Sequence, residues 1–292
     1  MNKQYNWLKY SAAFIIGNLW FAYAALSHSA ERKYELTISE KTVNYSGIDR
    51  TAMVINGTLP GPKLEFWLGD TAVITVNNHL DTEASIHWHG LLLPQGQDGV
   101  PYLTFLPIKA GTSFTYRFPI THTGTYWYHS HTAIDEQRGQ YGSIVIHPKK
   151  HVQHEYQYDE VIQLSDWTDE NPRKVLANLK KSGEWYALKK DSVISLWGYL
   201  KRGRFREWLI NRWQRMEGMD VSDVGYDAFL ANGEKHLHVL KQAKPGETAR
   251  LRFINSGASS YFNIESGDTP FTVIAADGID VEPVTVKTFL MG

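Results

Sequence analysis

Two short histidine pairs stand out in the 292-residue chain: His87-Trp88-His89 and His129-Ser130-His131. In an extended strand, residues i and i+2 face the same side. Each pair therefore presents two imidazoles side by side, and two such strands lying close would bring four imidazoles to one pocket. Neutral imidazole ligates zinc, copper, iron or nickel, so the chemistry on offer is that of a metal centre. One His-x-His pair alone says little. His236-Leu237-His238 has the same spacing with nothing around it to support a site, and it reads as surface-facing. The other two pairs share one stretch of β pattern and carry aromatic flanks, Trp88 in one and Tyr126-Trp127-Tyr128 beside the other.

The elements that must position these histidines are strands. Tyr34–Ile38 and Phe114–Phe118 alternate apolar and polar residues as half-buried strands do. Ala72–Val76 and Ser143–Ile146 read as further strands. Asn56-Gly57, Pro60-Gly61-Pro62, Gly69-Asp70 and Gly111 read as the turns between them. Short strands at this spacing point to a β-sandwich. His147, Lys149, Lys150, His151 and His154 fall in or beside a linker after Pro148 and read as solvated residues, not ligands.

A second unit opens with the strand Val161–Trp167. Asn171-Pro172 then caps a helix whose apolar face is Val175, Leu176 and Leu179, with Gly183 at its end. Helical sequence resumes from about Ser192 to Met216, interrupted at Gly198 and Gly203. Between Lys189 and Arg215 eight Lys/Arg face two acids, with Trp197, Trp208 and Trp213 among them. Such a segment suits an anionic membrane surface or a partner; the plainer expectation is an amphipathic insertion packed on its own domain. Leu237–Leu240, Ala249–Ile254, Phe271–Ile274 and Val284–Val286 read as strands again. Met216 and Met219 read as core fillers.

Composition narrows the function classes. The formal net charge of -1 provides no field for nucleic acid. Lys3 and Lys9 precede the apolar run Ser11–Leu26, which is too short to span a bilayer. Residues 1–30 read as a secretory signal cut between Ser27 and Ala30, which leaves no transmembrane span in the exported chain. Cysteine is absent, so neither a disulfide nor a thiolate ligand can form.

Taken together, His87-Trp88-His89-Gly90, Gln97-Asp98-Gly99-Val100-Pro101 and Gly124-Thr125-Tyr126-Trp127-Tyr128-His129-Ser130-His131 resemble the first two copper-ligand motifs of the multicopper oxidases. Leu164–Glu170 and Ile274–Pro283 resemble the bacterial copper-resistance (CopA/PcoA-type) branch. The resemblance implies an all-β chain with two cupredoxin-like Greek-key β-sandwich domains. The first would span 31–155. The second, 156–292, would carry a helical insertion at about 170–220 and be truncated. It implies copper as cofactor and dioxygen as partner, in the periplasm. By motif position His87 would hold the type 2 copper, and His89, His129 and His131 the type 3 pair. Asp98 would assist proton delivery to reduced dioxygen; the plain alternative is an Asp-Gly turn. Trp88 and Trp127 would pack the ligand strands.

The same resemblance marks what this chain lacks. The family's third domain brings further His-x-His units and the cysteine of the type 1 blue copper, and a blue-copper site needs that thiolate. The absence of cysteine also sets aside two-domain laccases and copper nitrite reductases. The expectation is thus the N-terminal portion of a copper-resistance oxidase acting on Cu(I) or phenol-like donors, inactive in isolation, with a C-terminal cupredoxin domain as its missing partner. A non-enzymatic periplasmic copper-binding module and a structural zinc site are the alternatives.

Overall fold

The computed structural model describes residues 30–149, 156–181, 186, 196–214, 224–240 and 242–292. The expected signal sequence up to Ser29, Gly183, His151, His154, Met216 and Met219 lie outside these residues.

Eight strands come first: β1 (Glu31–Val43), β2 (Arg50–Ile55), β3 (Gly61–Trp67), β4 (Thr71–Asn78), β5 (His87–His89), β6 (Ser113–Pro119), β7 (Gly124–His129) and β8 (Tyr141–His147). They form two four-stranded sheets, ordered β2-β1-β4-β6 and β3-β8-β7-β5. From β2 to β7 the chain crosses from one sheet to the other at every connection. Sheet neighbours are therefore mostly non-consecutive, and two of the pairings, β1 with β4 and β3 with β8, are parallel. The alternation read in the sequence is the inward face of each strand. Leu36, Ile38, Ile74, Val76, Tyr116 and Phe118 of one sheet meet Leu64, Phe66, Trp88, Tyr128 and Ile144 of the other in one buried core. Trp88 is fully buried against Tyr116, Phe118 and Tyr128, so it is a packing residue, as expected.

The remaining elements are β9 (Tyr158–Trp167), α1 (Pro172–Lys181), α2 (Leu196–Lys201), α3 (Phe205–Gln214), β10 (Ala228–Ala231), β11 (Ala249–Asn255), β12 (Phe262–Glu265), β13 (Phe271–Ala276), β14 (Ile279–Val286) and β15 (Thr288–Met291). They pair as β10-β9-β11, β12-β15 and β13-β14. At the start of α1, Asn171 Oδ1 accepts the amide of Arg173 at 2.9 Å, the cap that the sequence announced. Val175 and Leu179 are buried. Leu176, one position round the helix, is 42% exposed and does not belong to that face.

Four further expectations change. Pro60-Gly61-Pro62 is not only a turn, because Gly61 and Pro62 open β3. That strand lies at a sheet edge, where a proline is tolerated. Leu237–Leu240 is not a strand and pairs with no ladder among the described residues; Leu240 has φ +57°. His147 is not a linker residue. It ends β8, half-buried, with Nε2 3.3 Å from Glu65 Oε1 and its ring 5.0 Å from that of Trp67. The basic stretch 189–215 does not show the expected packed apolar face where it is described: among the described residues, no side chain of α2 or α3 is buried.

The two halves meet through β2. Met53 and Ile55 face the first core, while Ala52 and Val54 pack with Trp167, Ala228 and Leu230. Tyr141 donates to Ser165 Oγ at 2.7 Å within this contact. On another side Arg252, almost wholly buried, forks onto Asp159 at 2.6 and 2.8 Å and donates to Thr125 Oγ1 of β7 at 2.8 Å.

Candidate metal centre

Strands β5 and β7 are antiparallel, and their register sets His87 directly opposite His129. His89 lies opposite Trp127. Because i and i+2 share a face, His87, His89, Trp127 and His129 fall on one side of the sheet, and Trp88 and Tyr128 on the other, in the core. Imidazole ring centres are 5.8 Å apart for His87–His89, 5.4 Å for His87–His129 and 5.5 Å for His89–His129. One ring nitrogen from each of these three lies within 4.8 Å of the others. His131 stands just past the end of β7, exposed, with its ring centre 5.5 Å from that of His87 and 6.1 Å from that of His129. The structure therefore brings all four rings together, three of them tightly. His236 and His238 lie apart, on an exposed irregular segment.

Hydrogen bonds fix which nitrogen of each ring is free. His87 Nδ1 lies 2.8 Å from the main-chain oxygen of Asp98. His129 Nδ1 lies 2.8 Å from the oxygen of Ser130. A carbonyl can only accept, so the proton sits on Nδ1 in both rings and the Nε2 lone pair remains for a cation. His129 Nε2 then faces His89 Nδ1 at 3.3 Å. Burial lowers the affinity of the His87 imidazole for a second proton, opposed by the Asp98 carbonyl and carboxylate; burial and the neighbouring His129 lower that of His89. Both changes favour the neutral, ligating form.

The chain around the rings is built to hold them. Trp127 stacks on His129 with ring centres 4.2 Å apart and also contacts His89 at 5.2 Å. The buried Ser85 accepts at Oγ from the His131 amide at 3.1 Å and from the Thr132 hydroxyl at 2.8 Å, and its carbonyl accepts from Gln140 at 2.9 Å. Asp98 ends a 3-10 turn formed by Gln95–Gln97, and Gly99 follows with φ +80°. A Cβ on Gly99 would sit 1.8 Å from the carbonyl oxygen of Ile86. Only glycine lets this loop lie against β5 closely enough for the Asp98 carbonyl to reach His87. The Asp98 carboxylate is nearby as well, Oδ1 3.4 Å from His87 Nδ1.

One site residue escaped the sequence reading. Glu136 Oε2 lies 3.0 Å from His129 Nδ1. It sits in a second 3-10 turn, Asp135–Arg138, closed by Gly139 at φ +109°. Glu136 comes five residues beyond His131, outside any strand period, so no spacing rule pointed to it.

The donor set is imidazole alone, with outer hydrogen bonds that fix the tautomers and, at His129, a carboxylate behind the ring. Such a set fits copper or zinc. Comparison with known proteins narrows the class. Two family models, both described as multicopper oxidase, match residues 37–151 and 159–292. The chain belongs to the multicopper oxidase family. It is 42% identical over 264 residues to copper resistance protein A of Escherichia coli, covering 88% of this chain and 44% of that protein. It is 40% identical over 271 residues to copper resistance protein A of Pseudomonas syringae pv. tomato, covering 90% and 44%. Within the family it therefore belongs with the copper-resistance branch. Among solved structures it resembles the laccase from Botrytis aclada, with a TM-score of 0.66 and 29% identity over 92% of this chain and 46% of that one. Fet3p, a multicopper oxidase that functions in iron import, shares the fold with a TM-score of 0.68 at 23% identity. The chain spans less than half the length of the curated relatives named here.

Proposed function

We propose that this chain is the copper-binding N-terminal portion of a periplasmic copper-resistance oxidase. Residues 31–155 would form the copper-bearing domain and 156–292 the second domain. The observation that carries this reading is the cluster of His87, His89 and His129, with ligating nitrogens within 4.8 Å of one another and Nδ1 protons of two rings held by carbonyls. On this reading His87 serves the type 2 copper, and His89, His129 and His131 serve the type 3 pair. Bound copper would supply electron transfer to dioxygen. The protein's own part is to hold four neutral imidazoles, to fix His87 through Asp98 and His129 through Ser130 and Glu136, and to place the Asp98 carboxylate where it can move a proton beside His87.

With no cysteine in its sequence, this chain has no thiolate for a type 1 copper, so it would bind copper without turning over a donor. The whole enzyme, completed by a further cupredoxin domain, would oxidise Cu(I) or phenol-like donors and reduce dioxygen to water. The test is to load the purified chain from copper-supplied and zinc-supplied media, measure metal content, and assay oxygen uptake with a phenolic donor. Copper retained without oxygen uptake is expected. Turnover by the chain alone, or retention of zinc in preference to copper, refutes the reading. Export is tested by fractionating cells that express it, and no helix among the described residues is long and apolar enough to cross a membrane.

A further inference from the structure

The hairpin of α2 and α3 has no part in the metal centre, and its side chains are unusual for a segment facing water. Trp213 is 92% exposed and Trp197 74%. Leu196, Leu200, Phe205 and Leu209 are each exposed by more than two fifths. Phe205, Leu209 and Trp213 recur at i, i+4 and i+8, so they form one stripe along α3. Gly203, at φ +67°, makes the bend between the helices. Around that bend lie Lys201, Arg202, Arg204 and Arg206, all exposed. The sole acid of residues 196–214, Glu207, is paired with Arg204.

A helix that simply faces water is polar on its outer face. The core of a protein–protein interface is depleted of Lys, Asp and Glu though rich in aromatics and Arg, so it is the excess of positive charge, more than the aromatics, that points to an anionic surface. Here bulky apolar groups and basic groups, with a single acid among them, alternate along a short exposed hairpin. That is the composition of helices that lie in the surface of a bilayer, with Trp, Phe and Leu among the headgroups and Lys and Arg at the phosphates. The ten-residue α3 is roughly 15 Å long, about half a hydrocarbon core, so it can lie on a bilayer and not cross it. We propose that residues 196–214 dock this protein on the anionic face of a phospholipid bilayer. The apolar stripe of α3 and Trp197 enter the headgroup layer, and Lys201, Arg202 and Arg206 meet lipid phosphates.

The test uses the full chain and sedimentation with vesicles, either phosphatidylcholine alone or phosphatidylcholine with one third phosphatidylglycerol, at low and high salt. Binding to the anionic vesicles that weakens with salt is expected. Each basic residue near such a surface is worth about fivefold in partitioning, so the triple variant Lys201→Glu, Arg202→Glu, Arg206→Glu should bind at least about a hundredfold more weakly. Trp213→Ala should also weaken binding, while circular dichroism stays unchanged because these side chains are exposed. Both variants keep Ser11–Leu26, so binding that survives them would come from that apolar run and overturns the proposal. Equal binding to both kinds of vesicle overturns it too. So does self-association or capture of another protein through the hairpin without vesicle binding.

Discussion

Glu136 offers the sharpest test of how the centre is built. Replacing it with Ala removes the carboxylate 3.0 Å from His129 Nδ1. Loss of an outer-sphere hydrogen-bonding partner costs about 10–100-fold in metal affinity. Two features of the structure set the size here. The Ser130 carbonyl still holds the Nδ1 proton at 2.8 Å, and the Glu136 side chain is 29% exposed, so water screens part of its charge. The expected loss is near the lower end, about tenfold or roughly 1.4 kcal/mol. Glu136→Gln keeps an acceptor without the charge and should lose about threefold by the same reasoning. The assay is competition for Cu(II) against a chelator of known affinity, with thermal unfolding as the control for folding. His129→Ala sets the scale by removing the ligand. In His129→Ala, adding Glu136→Ala should change little, because the carboxylate acts through that ring. Copper affinity of Glu136→Ala within twofold of the parent, alongside a clear loss in His129→Ala, would refute this role.

Three further outcomes follow from the same structure. Gly99→Ala should weaken copper binding and lower stability by about 1–3 kcal/mol, since its φ is +80° and its Cβ would meet the Ile86 carbonyl; chelator competition and denaturant unfolding check both. Trp88→Ala should cost about 3–5 kcal/mol in denaturant unfolding, because the ring is fully buried among three aromatic neighbours. Arg252→Ala should cost about 3 kcal/mol, as it leaves the Asp159 carboxylate without its partner. Burial raises the Asp159 carboxyl, but the hydrogen bonds and charge of Arg252 outweigh it and hold the group below its ordinary 3.8. A carboxylate so lowered contributes stability above pH 3.8 that is lost as pH falls through its folded value. Melting temperature measured down through that window should fall more steeply in the parent than in Asp159→Asn.

Most of the fold was legible because the strands obey one simple period. β1, β4 and β6 bury alternate residues against a common core, and the two His-x-His pairs work by that same geometry. The Asn171-Pro172 cap was legible because capping is local. β2 was not read as a strand, because Ala52 through Ile55 are buried on both faces, one against each half, and such a strand has no alternation. β3 was hidden by its Pro62, which only an edge position permits. Leu237–Leu240 has the composition of a strand but pairs with no strand among the described residues.

The imidazole pairs and the missing thiolate are properties of the chain alone, because ligand type is written in residue identity and i, i+2 spacing needs only an extended backbone. The sequence also reaches the family, since its motifs surround those ligands. The partners of the imidazoles were decided in three dimensions. The register of β5 against β7 puts His87 opposite His129, and the Gly99 turn brings a carbonyl to His87. Glu136 reaches His129 from a turn no periodicity predicts, because hydrogen bonds form between groups that folding brings near, whatever their distance along the chain. The same holds for the basic, aromatic hairpin. Its composition suits burial or a membrane surface equally, and only the folded structure leaves Trp197 and Trp213 uncovered.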